Sequence, residues 1–389
     1  MLLTKYITFK KQSPLFTGAL RASGVMAFAG LGDALLYPVL PIYGKELGFS
    51  AFVVGMLLSI NRFIRILANT YVANLVIRIG MRNMLLITSS IAVITTLMYG
   101  VKLGLIAFLI ARIFWGLSYS GLKIATLNYA AKTKNKSGLA FGLAQSIKSI
   151  GALFILWFGP TVIKELGVEN GFFLVAGISL FGVLLAYLLP NITSEKVLEK
   201  VKSSVTFYPN SMNLLVLILS IAIDGILVVT LAHLLSSTSF TSSELLTLVA
   251  FYLLLKRLFV ILFSIIGGML TLHYPPEKLF TIAVLGCLTS LFLISVEVTI
   301  LGIILAFLCN TIVVTFSPLV AIKQQENTLQ AISSVSTWWD LGAAIGALIG
   351  IYAIETLGTN YLFLSLFIIA TILFINYIIQ HAKSNSTTI

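Results

Sequence analysis

The sequence predicts an all-α membrane protein, with twelve transmembrane helices arranged as two six-helix pseudo-repeats. Three observations carry this. Hydrophobic residues make up 59% of the 389 residues and charged residues only 10%, with a mean hydropathy of +1.05, far from the mixture of a water-soluble domain. Twelve apolar runs, most of them long enough to cross a bilayer as a helix, follow one another with short polar breaks. Sliding the first half along by 191 positions sets Asp33 on Asp224, Arg65 on Lys256, Gly151 on Gly342 and Gly159 on Gly350.

The first run, 15–44, contains Gly30, Gly32, Asp33, Pro38 and Pro41. A carboxylate halfway along a span costs about 2.5–3.5 kcal/mol on insertion scales, so it marks a pathway or a pairing. Glycines and prolines around it make that helix bendable. All three aspartates of the chain, Asp33, Asp224 and Asp340, lie inside apolar runs, whereas every glutamate lies near a run's end or in a loop.

The following runs are 51–77, 83–101, 104–130, 138–163 and 170–190. The second carries a polar stripe: Arg62 and Arg65 are three apart, and Asn61 and Asn69 each lie four from Arg65, all on one face. In the fourth, Arg112 shares a face with Gly116 and Ser120, and Lys123 follows close to three turns later. In the fifth, Lys148 has Gln145 three residues before it.

A polar break from Asn191 to Asn210 follows, holding Glu195, Lys196, Glu199, Lys200 and Lys202. It divides the chain into an N-terminal bundle, 1–190, a cytoplasmic linker, 191–211, and a C-terminal bundle, 212–389. The second set of runs is 212–239, 244–272, 278–297, 300–323, 329–356 and 359–380. Gly342, Gly346 and Gly350 in the eleventh run place small residues on one face, which lets neighbouring backbones approach closely.

Basic residues set the orientation. With the N-terminus inside, the inner segments hold Lys5, Lys10, Lys11, Arg78, Arg82, Lys132, Lys134, Lys136, Lys196, Lys200, Lys202, Lys278, Lys323 and Lys383. The outer loops hold only Lys45, Lys102 and Lys164. This positive-inside bias predicts cytoplasmic termini, and it turns the sequons at Asn191 and Asn385 into chance matches. The net charge of +12 is spread over loops as topology anchors, so no nucleic-acid partner is expected. The basic start leads straight into a full-length span, so no cleavable signal peptide is expected.

Nine ionisable side chains fall near the middle of their spans: Asp33, Arg62, Arg65, Arg112, Lys148, Asp224, Lys256, Arg257 and Asp340. Facing lipid unpaired they would cost roughly 22–32 kcal/mol, more than a typical folding stability of about 5–15 kcal/mol. They must pair or line a wet cavity between the halves. Cations outnumber anions, and an anionic ligand would satisfy the surplus. Arginine offers carboxylate or phosphate a planar fork. Tyr37, Tyr119, Trp115, Trp338 and Trp339 are candidate aromatic walls.

Membrane enzymes need a nucleophile with its base, or a metal cluster. His233, His273 and His381 lie near a helix end, in a loop and in the tail, and no HExxH or paired-cysteine pattern occurs. Cys287 and Cys309 lie in apolar runs as packing residues. Neither metal nor cofactor is expected.

Against this background the stretch Gly32-Asp33, Pro38-Val39-Leu40-Pro41 and Tyr43 resembles the first-helix signature of the drug:proton antiporter branch of the major facilitator superfamily. Arg112-x-x-x-Gly116 resembles that superfamily's fourth-helix motif, and Arg78, Gly80 and Arg82 its loop between helices two and three. The chain departs with Ala73 where glycine is usual and Ile77 where aspartate is usual. Gly151 lacks its proline, and Gly159-Pro160 lies near the outer end of helix five.

The resemblance covers nearly the whole chain. It implies the major facilitator fold, a monomer in the inner or plasma membrane, and a proton-coupled carrier whose two halves rock about a central site. Asp33 and Arg112, with Asp224 as a second acid, are then the proton-coupling candidates. Arg62, Arg65, Lys148, Lys256, Tyr37, Tyr119, Trp338 and Asp340 are the substrate-binding candidates. The surplus of cations points to a small organic anion, a polycarboxylate or a siderophore-like chelator, and the resemblance of the first helix leans to efflux. The alternatives are a multidrug exporter of lipophilic compounds and a proton-symport importer of an organic anion.

Overall fold

The computed structural model describes residues 14–43, 48–101, 104–133, 136–190, 209–235, 242–325 and 327–386, and among them every regular element is helical. The basic residues Lys5, Lys10, Lys11, Lys45, Lys102 and Lys134 lie outside the described residues. So does the linker at 191–208, with Glu195, Lys196, Glu199, Lys200, Lys202 and the sequon at Asn191. The side chains of Lys383 and Asn385 are likewise outside the description.

Helix α1 covers 14–43 as two stretches, Pro14–Ala29 and Leu31–Tyr43, joined at Gly30. Proline at its first position costs nothing, since that N–H has no intrahelical partner. Helix α2, Ala51–Ile79, starts where Ser50 Oγ accepts from the Val53 amide at 3.3 Å, a standard N-cap. Helices α3, Met81–Gly100, and α4, Gly104–Ala131, follow. Ser137–Tyr187 is one long helical stretch divided at Gly167 into α5 (137–166) and α6 (168–187).

Helix α7 covers 211–235: Ser211–Leu219, a π-helical segment Ser220–Leu227, and Leu231–Leu235. Helices α8, Ser242–Leu270, α9, Pro276–Ser295, and α10, Thr299–Gln324, come next. Thr328–Ser386 is divided at Gly358 into α11 (328–357) and α12 (359–386). Each of the twelve spans read from the sequence is therefore helical over most of its described residues. The expected loops between spans five and six, and between eleven and twelve, shrink to single residues, Gly167 (φ 78) and Gly358 (φ 74). Both need a left-handed backbone that only glycine adopts freely, and they too stand 191 positions apart.

Among the described residues, ten helical segments are long and apolar enough to cross a membrane, and Ser211–Leu227 is a shorter apolar helix. The first half of α11 carries Ser333, Ser334, Ser336, Thr337 and Asp340, side chains suited to a protein interior rather than to lipid. The surface toward the bilayer is apolar, with Leu67 and Trp157 each 78% exposed.

One core cluster, from Met212 to Tyr377, belongs entirely to the second half. Two others are built on the first half, and the larger of them also takes in Phe316, Leu319, Leu329 and Ile332 from α10 and α11. Two glycine crossings set the helix geometry. A Cβ on Gly225 of α7 would lie 2.5 Å from Gly346 Cα of α11, so these backbones touch. A Cβ on Gly142 of α5 would lie 2.1 Å from the Ser264 carbonyl of α8. There Ser146 Oγ also donates across the halves to the Ile261 carbonyl at 2.7 Å.

Candidate functional site

Three ionic clusters occupy the interior. The first joins α1 to α2, α3 and α4. Gly116 lets α4 approach α2 so closely that a Cβ there would lie 3.0 Å from the Asn61 carbonyl. Arg112, one turn earlier, therefore reaches the α2 backbone. Its Nε donates to the Leu57 carbonyl at 2.7 Å, and Nη2 to the Leu58 carbonyl at 3.4 Å. Nη1 donates to the Asp33 carboxylate and, at 3.4 Å, to Tyr99 Oη. The Arg112 side chain is wholly buried, while Asp33 keeps 17% of its side-chain surface open. Every nitrogen of the arginine is thus engaged and the carboxylate is the accessible partner.

The second cluster is the counterpart in the second half. Asp224 sits on the π-helical segment of α7, a local widening often associated with function. Lys256 Nζ of α8 lies 2.7 Å from Asp224 Oδ1, and Asn310 Nδ2 of α10 donates to Oδ2 at 3.2 Å. The ammonium also stands 5.3 Å from the centre of the Phe307 ring, within cation–π range.

The third cluster crosses between the halves. Asp340 of α11 lies 3.4 Å from Arg65 Nη2 of α2 and 3.8 Å from Lys123 Nζ of α4. Asn69 Nδ2 of α2 donates to it at 3.4 Å. The Arg65 guanidinium stacks 4.7 Å above the Tyr119 ring, and Lys148 Nζ of α5 donates to Tyr119 Oη at 3.5 Å. Arg65 Nε is a buried donor with no partner among the described residues. Arg62 forms no hydrogen bond or ion pair among the described residues, yet it lies in electrostatic range of both Asp224 and Asp340. Arg65 and Lys123 thus pair with Asp340, Lys148 joins the group through Tyr119, and Arg62 stands in electrostatic range of Asp340 and Asp224.

The two halves use their matching charges differently. In the second half the acid of the first helix, Asp224, takes the cation of the second, Lys256. In the first half Arg112 takes Asp33, and Arg65, the counterpart of Lys256, is released to face Tyr119 and Asp340. This difference follows from position 303, the counterpart of 112, which is isoleucine.

Of the residues read from the sequence, the structure brings Asp33 to Arg112, Asp224 to Lys256, and Arg65, Tyr119, Lys148 and Asp340 into one group. Tyr37, 36% exposed, lies in electrostatic range of Arg65 and Arg112. Trp338 is half-buried and joins none of these pairs. Its neighbour Trp339 packs on the second-half core, and its carbonyl accepts from Ser220 Oγ at 2.7 Å. Arg257 lies on the exposed face of α8, one residue round from Lys256. Tyr99, Asn310 and the full role of Lys123 emerge only from the structure. A scan for charges passes over a tyrosine and an asparagine, and the three-turn spacing of Lys123 from Arg112 is its only signal in the sequence.

A family model described as Major Facilitator Superfamily matches residues 22–323. No curated protein matches the sequence. Among solved structures, the fold is similar to the transporter FucP in its outward conformation, the E. coli fucose:proton symporter, with a TM-score of 0.73 and 16% identity over 94% of this chain and 98% of that one. The human organic anion transporter MFSD10 aligns with a TM-score of 0.70 and 14% identity, covering 94% of this chain and 100% of that one. The proton:xylose symporter XylE aligns with a TM-score of 0.70 and 11% identity, covering 93% and 94%. At these identities the likeness is one of fold.

Proposed function

Because the chain belongs to the Major Facilitator Superfamily, as a multi-pass membrane transporter and not an enzyme, we propose that it is a proton-coupled secondary carrier of a small organic anion. One observation carries the reading: Arg65, Lys123 and Lys148 gather at Tyr119, Arg62 lies in electrostatic range of Asp340, and among the described residues Asp340 is the one carboxylate paired with Arg65 and Lys123. In a low-dielectric interior, uncompensated positive charge is costly. A bound polycarboxylate relieves that cost, and a lipophilic cation adds to it. The similarity in fold to the human organic anion transporter MFSD10 is consistent with such a cargo.

Asp33 is the proposed proton carrier. It is partly open where Arg112 is sealed, and Arg112 holds it through a fork anchored on α2. Proton-driven carriage is found within the same fold, in the fucose:proton and proton:xylose symporters. Lys256 is paired with Asp224 at 2.7 Å, so the proposed anion wall is Arg62, Arg65 and Lys148 with Lys123 added. Asp224 and Lys256 are proposed to act as a neutral pair that shapes the opposite wall, with Asp224 the second candidate for proton coupling. The positive-inside bias supports a place in the cell membrane with both termini in the cytoplasm, and the proposed carrier works as a monomer.

Uptake into proteoliposomes tests this. Carboxylates of increasing charge are offered with an imposed pH gradient of either sign, and lipophilic cations are offered in parallel. Gradient-dependent movement of an anion supports the proposal, and the sign of the effective gradient distinguishes symport from antiport. Transport of lipophilic cations with none of the anions refutes it in favour of multidrug export.

A further inference from the structure

We propose that Asp340 is an internal stand-in for the cargo's carboxylate: it occupies the cation cluster until an anion displaces it from Arg65, and so ties cargo arrival to a loosening of α11 from the first half. The inference rests on the anionic-cargo reading above and adds a role for one residue within it.

Asp340 belongs to the second half by chain and to the first half by contact. Among the described residues its polar partners, Arg65, Lys123 and Asn69, all lie on α2 and α4. Its backbone is clipped to α7: Gly342 packs on the Leu217 carbonyl, Gly346 on the Ile221 carbonyl, and the Trp339 carbonyl accepts from Ser220 Oγ. Asp340 therefore moves with the second half, and its ion pairs are a tie between the two bundles.

The tie is loose. A charge-assisted hydrogen bond between nitrogen and carboxylate closes to about 2.7–2.9 Å. The Asp224–Lys256 pair does so at 2.7 Å, whereas Asp340 stands 3.4 Å from Arg65 and 3.8 Å from Lys123. Arg65 also keeps a buried, unused Nε donor, so its fork is not fully engaged by this carboxylate. A free carboxylate is not held by a helix backbone and can close on both Nη2 and the unused Nε of Arg65. The exchange leaves Asp340 with Asn69 and Lys123, so no buried charge is stranded, which would otherwise cost several kcal/mol.

The test uses the full chain in lipid nanodiscs, with citrate and a panel of mono- and dicarboxylates as probes, read by isothermal titration and by uptake after reconstitution. Asp340→Asn removes the competitor while keeping the side chain's shape. The expected result is at least a tenfold lower Kd for citrate together with a fall in transport rate of fivefold or more. Asp340→Glu is expected to restore both values toward wild type. Asn69→Ala, which loosens Asp340 without touching a cation, is expected to lower Kd about threefold and keeps the test open if Asp340→Asn does not fold. If wild type binds an anion and these variants leave Kd unchanged or raise it, the stand-in role is overturned and the anionic-cargo reading survives. If wild type binds none of the panel, the cargo reading itself falls, and this role with it.

Discussion

The Asp224–Lys256 pair offers a test of how charges are balanced inside the second half. The perturbations are Asp224→Asn, Lys256→Gln and the two together. At 2.7 Å separation, two unit charges attract by about 6 kcal/mol at an effective dielectric constant near 20. Roughly half of this is offset by taking both groups out of water, since their side chains retain only 19% and 21% exposure. Each single variant leaves a buried charge without its partner and is expected to cost about 3 kcal/mol. The double variant keeps two groups that hydrogen-bond to each other and is expected to cost no more than one single, a coupling near 3 kcal/mol. The assay is reversible unfolding in mixed micelles, with all four proteins under one lipid composition. If the double variant costs the sum of the singles to within about 0.5 kcal/mol, the two residues are not an energetic pair, and Lys256 returns to the anion wall.

Four further outcomes are expected. Asp33→Asn should abolish accumulation driven by a pH gradient while leaving substrate exchange at equal concentrations in part intact; unchanged accumulation in proteoliposomes removes Asp33 as the coupling acid. Arg65→Ala should weaken binding of anionic ligands more than tenfold, about 1.4 kcal/mol, and an anion indifferent to the change would contradict its place in the wall. Gly346→Val puts a Cβ 2.3 Å from the Ile221 carbonyl, and overpacking of this kind costs about 1–3 kcal/mol. A clear loss of melting temperature is expected, and an unchanged melting curve would mean that α7 and α11 do not touch there. A reporter fused after Ile389 should read cytoplasmic, and a signal from the opposite face refutes the topology.

The helices are largely legible in the sequence because hydrophobic run length and glycine punctuation are local signals. Even α11, polar in its first half, shows itself through its apolar second half and its glycine row. The π-helical segment at Ser220–Leu227 is not legible, since the same residues fit an ordinary helix and the widening arises where α7 meets Gly346.

The acids and bases of the site are visible one by one, as charges at depth. Their pairing is not. Spacing along one helix says which residues share a face, but Asp340 meets Arg65 only because α11 crosses from the other half. The repeat offers a pairing of Asp33 with Arg65 by analogy with Asp224 and Lys256, and Arg112 overrides it by reaching Asp33 through the close approach of α4 to α2.

A duplicated bundle would be expected to run the same internal circuit twice. Here one copy closes the circuit between its first two helices, and in the other a single arginine takes the acid instead. On the proposed function, the closed copy contributes little net field and the other holds the charge that a visitor meets. Changes of cargo among chains built this way should therefore accumulate on the first bundle, on helices two, four and five, while the second bundle tolerates little alteration of its acid and base. A chimera that borrows the first bundle of one such carrier and the second of another should select cargo as the first donor does.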